Sequence, residues 1–271
     1  MMQLFRNLLR GVLLLLAGLV VQFVPAFAQS CVGVAQAPPS PAVLKAGFKV
    51  AQLSRDEVRL TFVGHSTFLI ESPKGVRIVT DYNDYVRPDV VPDVATMNIA
   101  HDTHYSMSPD PRIKHVVRGW NPEGGPAVHD LQVEDVHIRN IPTNTRDWGG
   151  GTREFGNSIF VFEINGLCIA HLGHLHHTLT VQQLGQIGQM DVLLVPVDGG
   201  YTLDLDGMLE VLQALKAPIM IPMHMFSAYG LERFLAKVRT AFDVVENPVP
   251  TVVVSRKNMP AKPRVLVLPG R

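Results

Sequence analysis

The chain has 271 residues, of which 46% are hydrophobic and 18% are charged. This apolar content suffices for a folded core and excludes a disordered protein. The 24 basic side chains are balanced by 24 acidic ones, so the chain lacks the basic footprint that nucleic-acid binding requires. Eleven histidines are the unusual feature of the composition.

Residues 1–28 have the pattern of a secretory signal peptide. Arg6 and Arg10 form a positive start, a largely apolar stretch runs from Gly11 to Val24, and Ala26-Phe27-Ala28 offers a small-x-small cleavage site. The apolar stretch has roughly 14 residues, fewer than the ~20 of a membrane-spanning helix. We expect cleavage after Ala28, export to the periplasm or secretion, and no stable membrane insertion of the mature chain. An uncleaved membrane anchor is the alternative.

Residues 29–56 are rich in Pro, Ala and Gln and predict a loosely attached N-terminal arm, followed by one domain over 57–271. The two cysteines, Cys31 and Cys168, make no metal-binding motif. Cys168 lies in an apolar run, which favours a buried small hydrophobic side chain over a functional thiol. Whether the two cysteines pair is left open by the sequence.

The first part of the domain has short apolar runs separated by turn residues, which is typical of β-strands. The strands predicted there are Val58–Val63, Thr67–Glu71, Val76–Thr80, Met97–Ala100, Val116–Arg118, Val136–Ile141, Ser158–Ile164 and Leu167–Leu172. Turn residues at 72–75 predict one hairpin, and Asn165-Gly166 predicts a tight two-residue hairpin.

After residue 178 strands alternate with helices. Apolar residues at helical spacing predict helices over 179–188, 205–215 and 229–241, whereas apolar runs predict strands at Val192–Val197, Ile219–Met223, 251–255 and 264–268. Strands first and β-α-β units later indicate a single α/β domain in which two sheets pack together with helices outside.

Six of the predicted strands are followed, at their carboxyl ends, by histidine or aspartate side chains. The residues at these positions are His65, Asp81, His101, His104, His174, His176, His177, Asp198 and His224. Open α/β sheets bind ligands outside the carboxyl ends of their strands. A single histidine there is usually a capping or half-buried side chain, which is our interpretation of His115, His129 and His137; His171 is predicted to be a hydrogen-bonded core residue.

The joint pattern favours a metal site, because imidazole is a common metal ligand and zinc sites are built from three or four such groups. His101 and His104 share a face if their loop turns helically, and His174 and His176 share a face if theirs is extended. We predict that His101, His104, His174 and His224 converge on one ion, with His176 or His177 as a substitute ligand.

Three segments resemble the metallo-β-lactamase superfamily, in the branch of Zn- or Mn-dependent hydrolases that includes the ascorbate-6-phosphate lactonases. They are GHSTFLIES (64–72) with IVTDY (78–82), GNSIFVFEINGLCIAHLG (156–173), and DVLLVPVDGGYTLDLDGMLEVLQALKAPIMIPMH (191–224). The resemblance implies a four-layer αββα sandwich with the metal site at one edge of both sheets.

The chain departs from the metal-binding pattern of that superfamily. The hallmark H-x-H-x-D-H corresponds here to residues 101–106, where His101 matches the first ligand and His104 stands at a shifted position. No histidine occurs at 142–146, where the middle ligand is expected, and His174 replaces the bridging Asp; His224 matches without change. One ion is therefore expected rather than two, and imidazole ligands favour zinc, with manganese as the other choice.

These residues predict an exported hydrolase that uses metal-bound hydroxide to cleave an ester, lactone, amide or phosphoester in a small-molecule substrate. Asp81, Asp102 or Asp198 is the candidate general base, and His65 or Arg146 is the candidate group that polarises the substrate oxygen. The alternatives are a non-catalytic descendant of the fold that binds a metal or ligand, and a metal-scavenging or sensing module.

Overall fold

The computed structural model describes residues 52–147 and 149–270. The predicted leader and most of the predicted arm, including Cys31, lie outside these residues. In the described part of the chain, no helix is long and apolar enough to cross a membrane.

The described residues form fourteen strands and three α-helices. The strands are β1 (Val58–Gly64), β2 (Thr67–Glu71), β3 (Arg77–Val79), β4 (Val94–Met97), β5 (His115–Arg118), β6 (Asp130–Val133), β7 (Val136–Arg146), β8 (Thr152–Ile164), β9 (Leu167–His171), β10 (Val192–Pro196), β11 (Ile219–Met223), β12 (Asp243–Glu246), β13 (Thr251–Val254) and β14 (Arg264–Val267). The helices are α1 (Val181–Ile187), α2 (Leu205–Leu215) and α3 (Ala228–Val238), and each begins after a capping side chain, from Thr180, Asp204 and Ser227 respectively.

The strands form two mixed sheets. The first has six strands in the order β13-β1-β2-β3-β4-β5, and the second has eight in the order β12-β14-β11-β10-β9-β8-β7-β6. The predicted hairpin between β8 and β9 is confirmed: Asn165 and Gly166 have φ values of 49° and 81°, the left-handed conformations that such a turn needs.

The two sheets pack face to face. Alternate residues of β8 point in opposite directions, so that Phe160 and Phe162 lie between the sheets whereas Ile159 and Val161 face the helices. The prediction of a mixed α/β fold with two facing sheets is confirmed. In the described chain the three α-helices contribute side chains only to the cluster on the outer face of the eight-stranded sheet, and the other sheet's outer face packs loop residues such as Tyr82 and Ile113.

Some local predictions were wrong. The predicted strand Met97–Ala100 ends at Met97, because the chain turns away there and the Asn98 N–H donates to the His104 carbonyl, 3.0 Å away. The strands β6 and β12 were missed, since both are four residues long and largely exposed. Cys168 is fully buried, as predicted, and its pairing, which the sequence leaves open, is not that of a free thiol.

Candidate metal centre

The loops at the carboxyl ends of four strands bring five histidines together. This histidine cluster consists of His65 after β1, His101 and His104 after β4, His174 after β9 and His224 after β11. The ring centres of the four predicted ligands lie 4.4–5.7 Å from one another. The loop of His101 and His104 does turn helically, as a 3₁₀ turn over Asp102–His104.

Three residues of the centre have left-handed backbone conformations. The φ values are 51° for His65, 43° for Asp81 and 56° for His224. Such a conformation costs a residue with a Cβ about 1–2 kcal/mol, and it persists only where surrounding contacts impose it. Here it follows the ends of β1, β3 and β11, and it directs the side chains toward the cluster.

His104 is held by a buried carboxylate. Its Nδ1 lies 2.5 Å from Oδ2 of Asp81, and both side chains are fully buried. The second oxygen of Asp81 accepts a hydrogen bond from Nδ2 of Asn98, whose own Oδ1 accepts the N–H of Ser158. Burial opposes the charge of Asp81, but His104 and His171 outweigh it and hold the pKa of this carboxyl below its usual range. Asp81 is therefore an anion, and Nδ1 of His104 carries the proton.

His224 has a similar partner. Its Nδ1 donates to Oδ2 of Asp198, 2.9 Å away. Asp198 is further bound by the Thr202 hydroxyl and by the N–H groups of Gly200 and Tyr201. Burial raises the pKa of this carboxyl, but these hydrogen bonds and His224 bring it below its usual value. The imidazole is thus fixed in orientation with Nδ1 protonated.

These two pairs leave two bare ring nitrogens that face each other. Nε2 of His104 lies 3.2 Å from Nε2 of His224, and in the neutral rings both nitrogens carry lone pairs. Two lone pairs at this distance repel unless a cation lies between them. Nitrogens bound to one tetrahedral zinc ion at 2.0–2.1 Å are about 3.3 Å apart, so the observed spacing fits zinc. Histidine held by carboxylate through its other nitrogen is the usual arrangement of a metal ligand.

His65 and His101 complete the donor set. One ligand nitrogen from each of His65, His101, His104 and His224 lies within 4.8 Å of the others. The hydroxyl of Thr103 bridges Nδ1 of His101 and Nε2 of His65, at 2.7 and 2.9 Å. Burial and the neighbouring imidazoles lower the pKa of His65 to about 3 and that of His101 to about 4. Both rings are therefore neutral at pH 7, the protonation state in which imidazole binds metals.

A cleft of about 250 Å³ opens beside the cluster. Its lining includes His101, His174, His176, Arg153 and Tyr201. Phe226 packs against the ring of His224 at 5.1 Å and against Tyr201 at 5.4 Å, yet 59% of its surface is exposed. The mouth of the cleft therefore combines imidazoles with an exposed aromatic pair, a lining suited to a small molecule with an apolar part.

Several predicted site residues have other surroundings. Asp102 is exposed and accepts the hydroxyl of Tyr85, and His177 is exposed on the far side of His176, with ring centres 6.4 Å apart. Neither reaches the cluster. The guanidinium of Arg146 donates to four backbone carbonyls of two loops, so it holds those loops and is not free to polarise a substrate.

Asp81 and Asp198 are close to the cluster, but behind it. Their oxygens are engaged by the histidines and by neighbouring donors, which suits positioning of ligands rather than proton transfer from water in the cleft. His65, predicted to polarise the substrate, lies instead among the candidate ligands. His171 is the hydrogen-bonded core residue that the sequence predicts, since its Nε2 donates to the Ser66 carbonyl.

Sequence reasoning missed the residues that orient the cluster. Thr103 and Asn98 were not singled out, and the backbone N–H of Arg146, which donates to Nδ1 of His176, has no signature in the sequence. Asn98 directly follows β4, so its position at a strand end was the available signal. The other contacts join residues far apart in the chain.

Two facing sheets with a histidine cluster at their edge define a metallo-β-lactamase-type protein. Residues 59–224, more than half of the chain, match the family described as the β-lactamase superfamily domain. The chain belongs to this family.

Among similar proteins, a UPF0173 metal-dependent hydrolase of Thermoplasma volcanium is 27% identical over 196 residues, which are 62% of this chain and 83% of the relative. A solved structure from Thermotoga maritima, inferred to be a Zn-dependent hydrolase of the metallo-β-lactamase superfamily, is 30% identical with a TM-score of 0.57 and covers 79% of this chain and 100% of its own. Igni18, a metallo hydrolase of Ignicoccus hospitalis, shares the fold at 19% identity and a TM-score of 0.53, over 73% of this chain and 99% of its own.

Proposed function

We propose that the protein is an exported metal-dependent hydrolase that holds one zinc ion and cleaves an ester, lactone, amide or phosphoester in a small molecule. The observation that carries the proposal is the pair of bare Nε2 atoms of His104 and His224, 3.2 Å apart and each backed by a carboxylate. Nε2 of His101 supplies a third ligand, and His65 lies close enough to supply a fourth when the Thr103 hydroxyl releases its Nε2. The relatives named as metal-dependent hydrolases support the same class of activity.

The donor set suits zinc, because it consists of imidazoles rather than the oxygen atoms that magnesium and calcium prefer. Manganese is the second choice. When bound, the ion would lower the pKa of a water molecule to about 7 and so supply a nucleophile at neutral pH. The residues of the chain then have separate tasks: Asp81 and Asp198 orient imidazoles, and the cleft beside His101 admits the substrate.

The exposed aromatic pair supports a substrate with an apolar group. Phe226 and Tyr201 are 59% and 63% exposed, and Tyr201 lines the cleft. A flat apolar substituent would cover both rings while the bond to be cleaved lies near the histidines. Burying such aromatic area favours binding, whereas it adds little to the chemical step.

A non-catalytic descendant of the fold has less support, because the carboxylates of Asp81 and Asp198 that make His104 and His224 good metal ligands are present. Turnover of ester, lactone, amide and phosphodiester panels by zinc-loaded protein tests the proposal. We expect at least one class to be cleaved, and His104→Ala or His224→Ala to lower kcat/KM at least about 100-fold. The matched control is His137→Ala, since His137 pairs with Asp130 outside the cluster and should leave activity unchanged. Zinc-loaded protein inactive on every class would make it a binding protein.

Export is part of the proposal and rests on residues 1–28 alone. N-terminal sequencing of protein from the periplasm or the medium should find a chain that begins at Gln29. An intact Met1 in the membrane fraction would replace export with anchoring.

A further inference from the structure

A row of hydrogen bonds crosses the centre beside the proposed ion site. The backbone N–H of Arg146 lies 2.8 Å from Nδ1 of His176, and Nε2 of His176 lies 2.6 Å from Nδ1 of His174. Nε2 of His174 in turn lies 3.0 Å from Nε2 of His101. His174 and His176 are both buried, and neither takes part in the two histidine–carboxylate pairs.

The backbone amide at one end fixes the direction of the whole row. An amide N–H only donates, so Nδ1 of His176 must accept and its proton must be on Nε2. That Nε2–H donates to Nδ1 of His174, which therefore carries no proton either. A neutral His174 must then have its proton on Nε2. Protonating His174 at both nitrogens would oppose two N–H groups at 2.6 Å, so the row holds this ring neutral.

This proton makes His174 unsuitable as a metal ligand. Nε2 has no free lone pair while it carries hydrogen, and Nδ1 is already occupied by His176. Metal binding at Nε2 would require the imidazole to become an anion. The prediction from the sequence that His174 is a ligand thus conflicts with the hydrogen bonds around it. The backbone N–H of His174 donates to Oδ1 of Asn157, 2.7 Å away, which fixes the main chain at this residue.

We propose that His174 is a hydrogen-bond donor to the substrate, and that it donates Nε2–H to the carbonyl or phosphoryl oxygen that gains negative charge during cleavage. The inference rests on the proposed function, since it assigns a role within that hydrolytic site. His174 is one of the residues that line the cleft. With its Nε2 given to the ion, His101 would no longer accept this hydrogen bond, and the substrate oxygen would be the acceptor in its place. His174 keeps its proton throughout; His176 is a positioning residue that sets the tautomer.

A fixed N–H donor stabilises the transition state most when it points at the oxygen that becomes negatively charged. A preorganised donor aimed at developing charge in a site shielded from water contributes about 100- to 1000-fold to kcat. A neutral imidazole donates without the cost of burying a cation beside a metal ion.

The tautomer is measured directly by long-range ¹H–¹⁵N NMR of histidine-labelled protein, before and after zinc is added. We expect His174 to be protonated on Nε2 and bare on Nδ1 in both states. His176→Leu removes the donor to Nδ1 and should let His174 exchange between tautomers, whereas His176→Gln keeps a donor and should largely restore the original one. A His174 that loses its Nε2 proton when zinc binds would overturn the inference.

Metal binding and kinetics separate this inference from the proposed function. His174→Ala should bind zinc with the wild-type stoichiometry and within about threefold of its affinity, and its kcat should fall about 100- to 1000-fold with little change in KM. If wild-type protein binds zinc and His174→Ala does not, His174 is a ligand: the inference fails and the proposed function stands. If wild-type protein binds no zinc, the proposed function fails, and the NMR of the metal-free protein still tests the tautomer.

Discussion

Replacing Asp81 by Asn should move a proton on His104. The orientation of Asn98 is fixed, because its Oδ1 accepts the Ser158 N–H, so its Nδ2 must donate to residue 81. An asparagine there would present its oxygen to Asn98 and its NH₂ group to Nδ1 of His104. His104 would then accept at Nδ1 and carry its proton on Nε2, which is the atom that the metal needs.

The expected loss of zinc affinity is about 10- to 100-fold, or about 1.4–2.7 kcal/mol, as for other partners of metal-bound histidine. The metal-free variant should lose about 1.5–3 kcal/mol of unfolding free energy with the charge-assisted hydrogen bond, less whatever a new bond from Nε2 of His104 to His224 returns. Calorimetric titration of chelator-treated protein with zinc measures the first quantity, and urea unfolding measures the second.

A matched control exists on the surface. Asp130 accepts a hydrogen bond from His137 at the same 2.5 Å distance, but its side chain is 77% exposed. Asp130→Asn should change stability by less than about 1 kcal/mol and leave zinc affinity unchanged. If Asp81→Asn binds zinc as tightly as the wild type, the tautomer of His104 does not control the site and the reasoning fails.

Three further predictions concern the surroundings of the cluster. Gly173→Ala should destabilise the fold by about 2–4 kcal/mol, because Gly173 has φ +62° and an added Cβ would lie 2.3 Å from Oδ1 of Asn157. The control is Gly75→Ala, which has φ +84° and no atom within 4 Å of the added Cβ and should therefore cost only the backbone strain. Equal losses of unfolding free energy in urea would refute the packing argument. Phe226→Ala should raise KM for aryl substrates more than for small alkyl ones; equal changes would show that this ring does not contact substrate. In chelator-treated protein the melting temperature should fall as the pH is lowered from 6.5 to about 4. Burial lowers the pKa of His65 to about 3 and those of His101 and His176 to about 4, so in this pH range these imidazoles are protonated more readily in the unfolded chain, which protonation then stabilises. A melting temperature that does not change with pH would contradict these pKa shifts.

The sequence predicted the site best where an apolar run that forms a strand is followed directly by a histidine or an aspartate. The runs that became β10 and β11 end in Asp198 and His224, and because these two strands are parallel neighbours, their ends lie at one edge of the eight-stranded sheet. The run that became β1 ends in His65 in the facing sheet, where the His65 carbonyl accepts the N–H of His224. That His101, His104, His174 and His224 lie close together was expected from this topology and from the resemblance to the metallo-β-lactamase superfamily, without any knowledge of side-chain rotamers.

Roles within the cluster were harder to predict, because they depend on which nitrogen carries a proton. The tautomer of His174 is set by a backbone N–H at residue 146, and that of His104 by a carboxylate at residue 81. These partners are brought close by the fold, and the identity of the residues does not reveal their hydrogen-bond directions. Asp81 and Asp198 were therefore predicted as candidate bases, although their oxygens are engaged by histidines.

The central claim is that the histidine cluster holds one metal ion. Equilibrium dialysis against zinc, followed by metal analysis of protein prepared without a chelating tag, tests it most directly. We expect one zinc ion per wild-type chain, one in His137→Ala, and none in the double variant His104→Ala/His224→Ala. Two ions per wild-type chain, or an ion retained by the double variant, would contradict the claim.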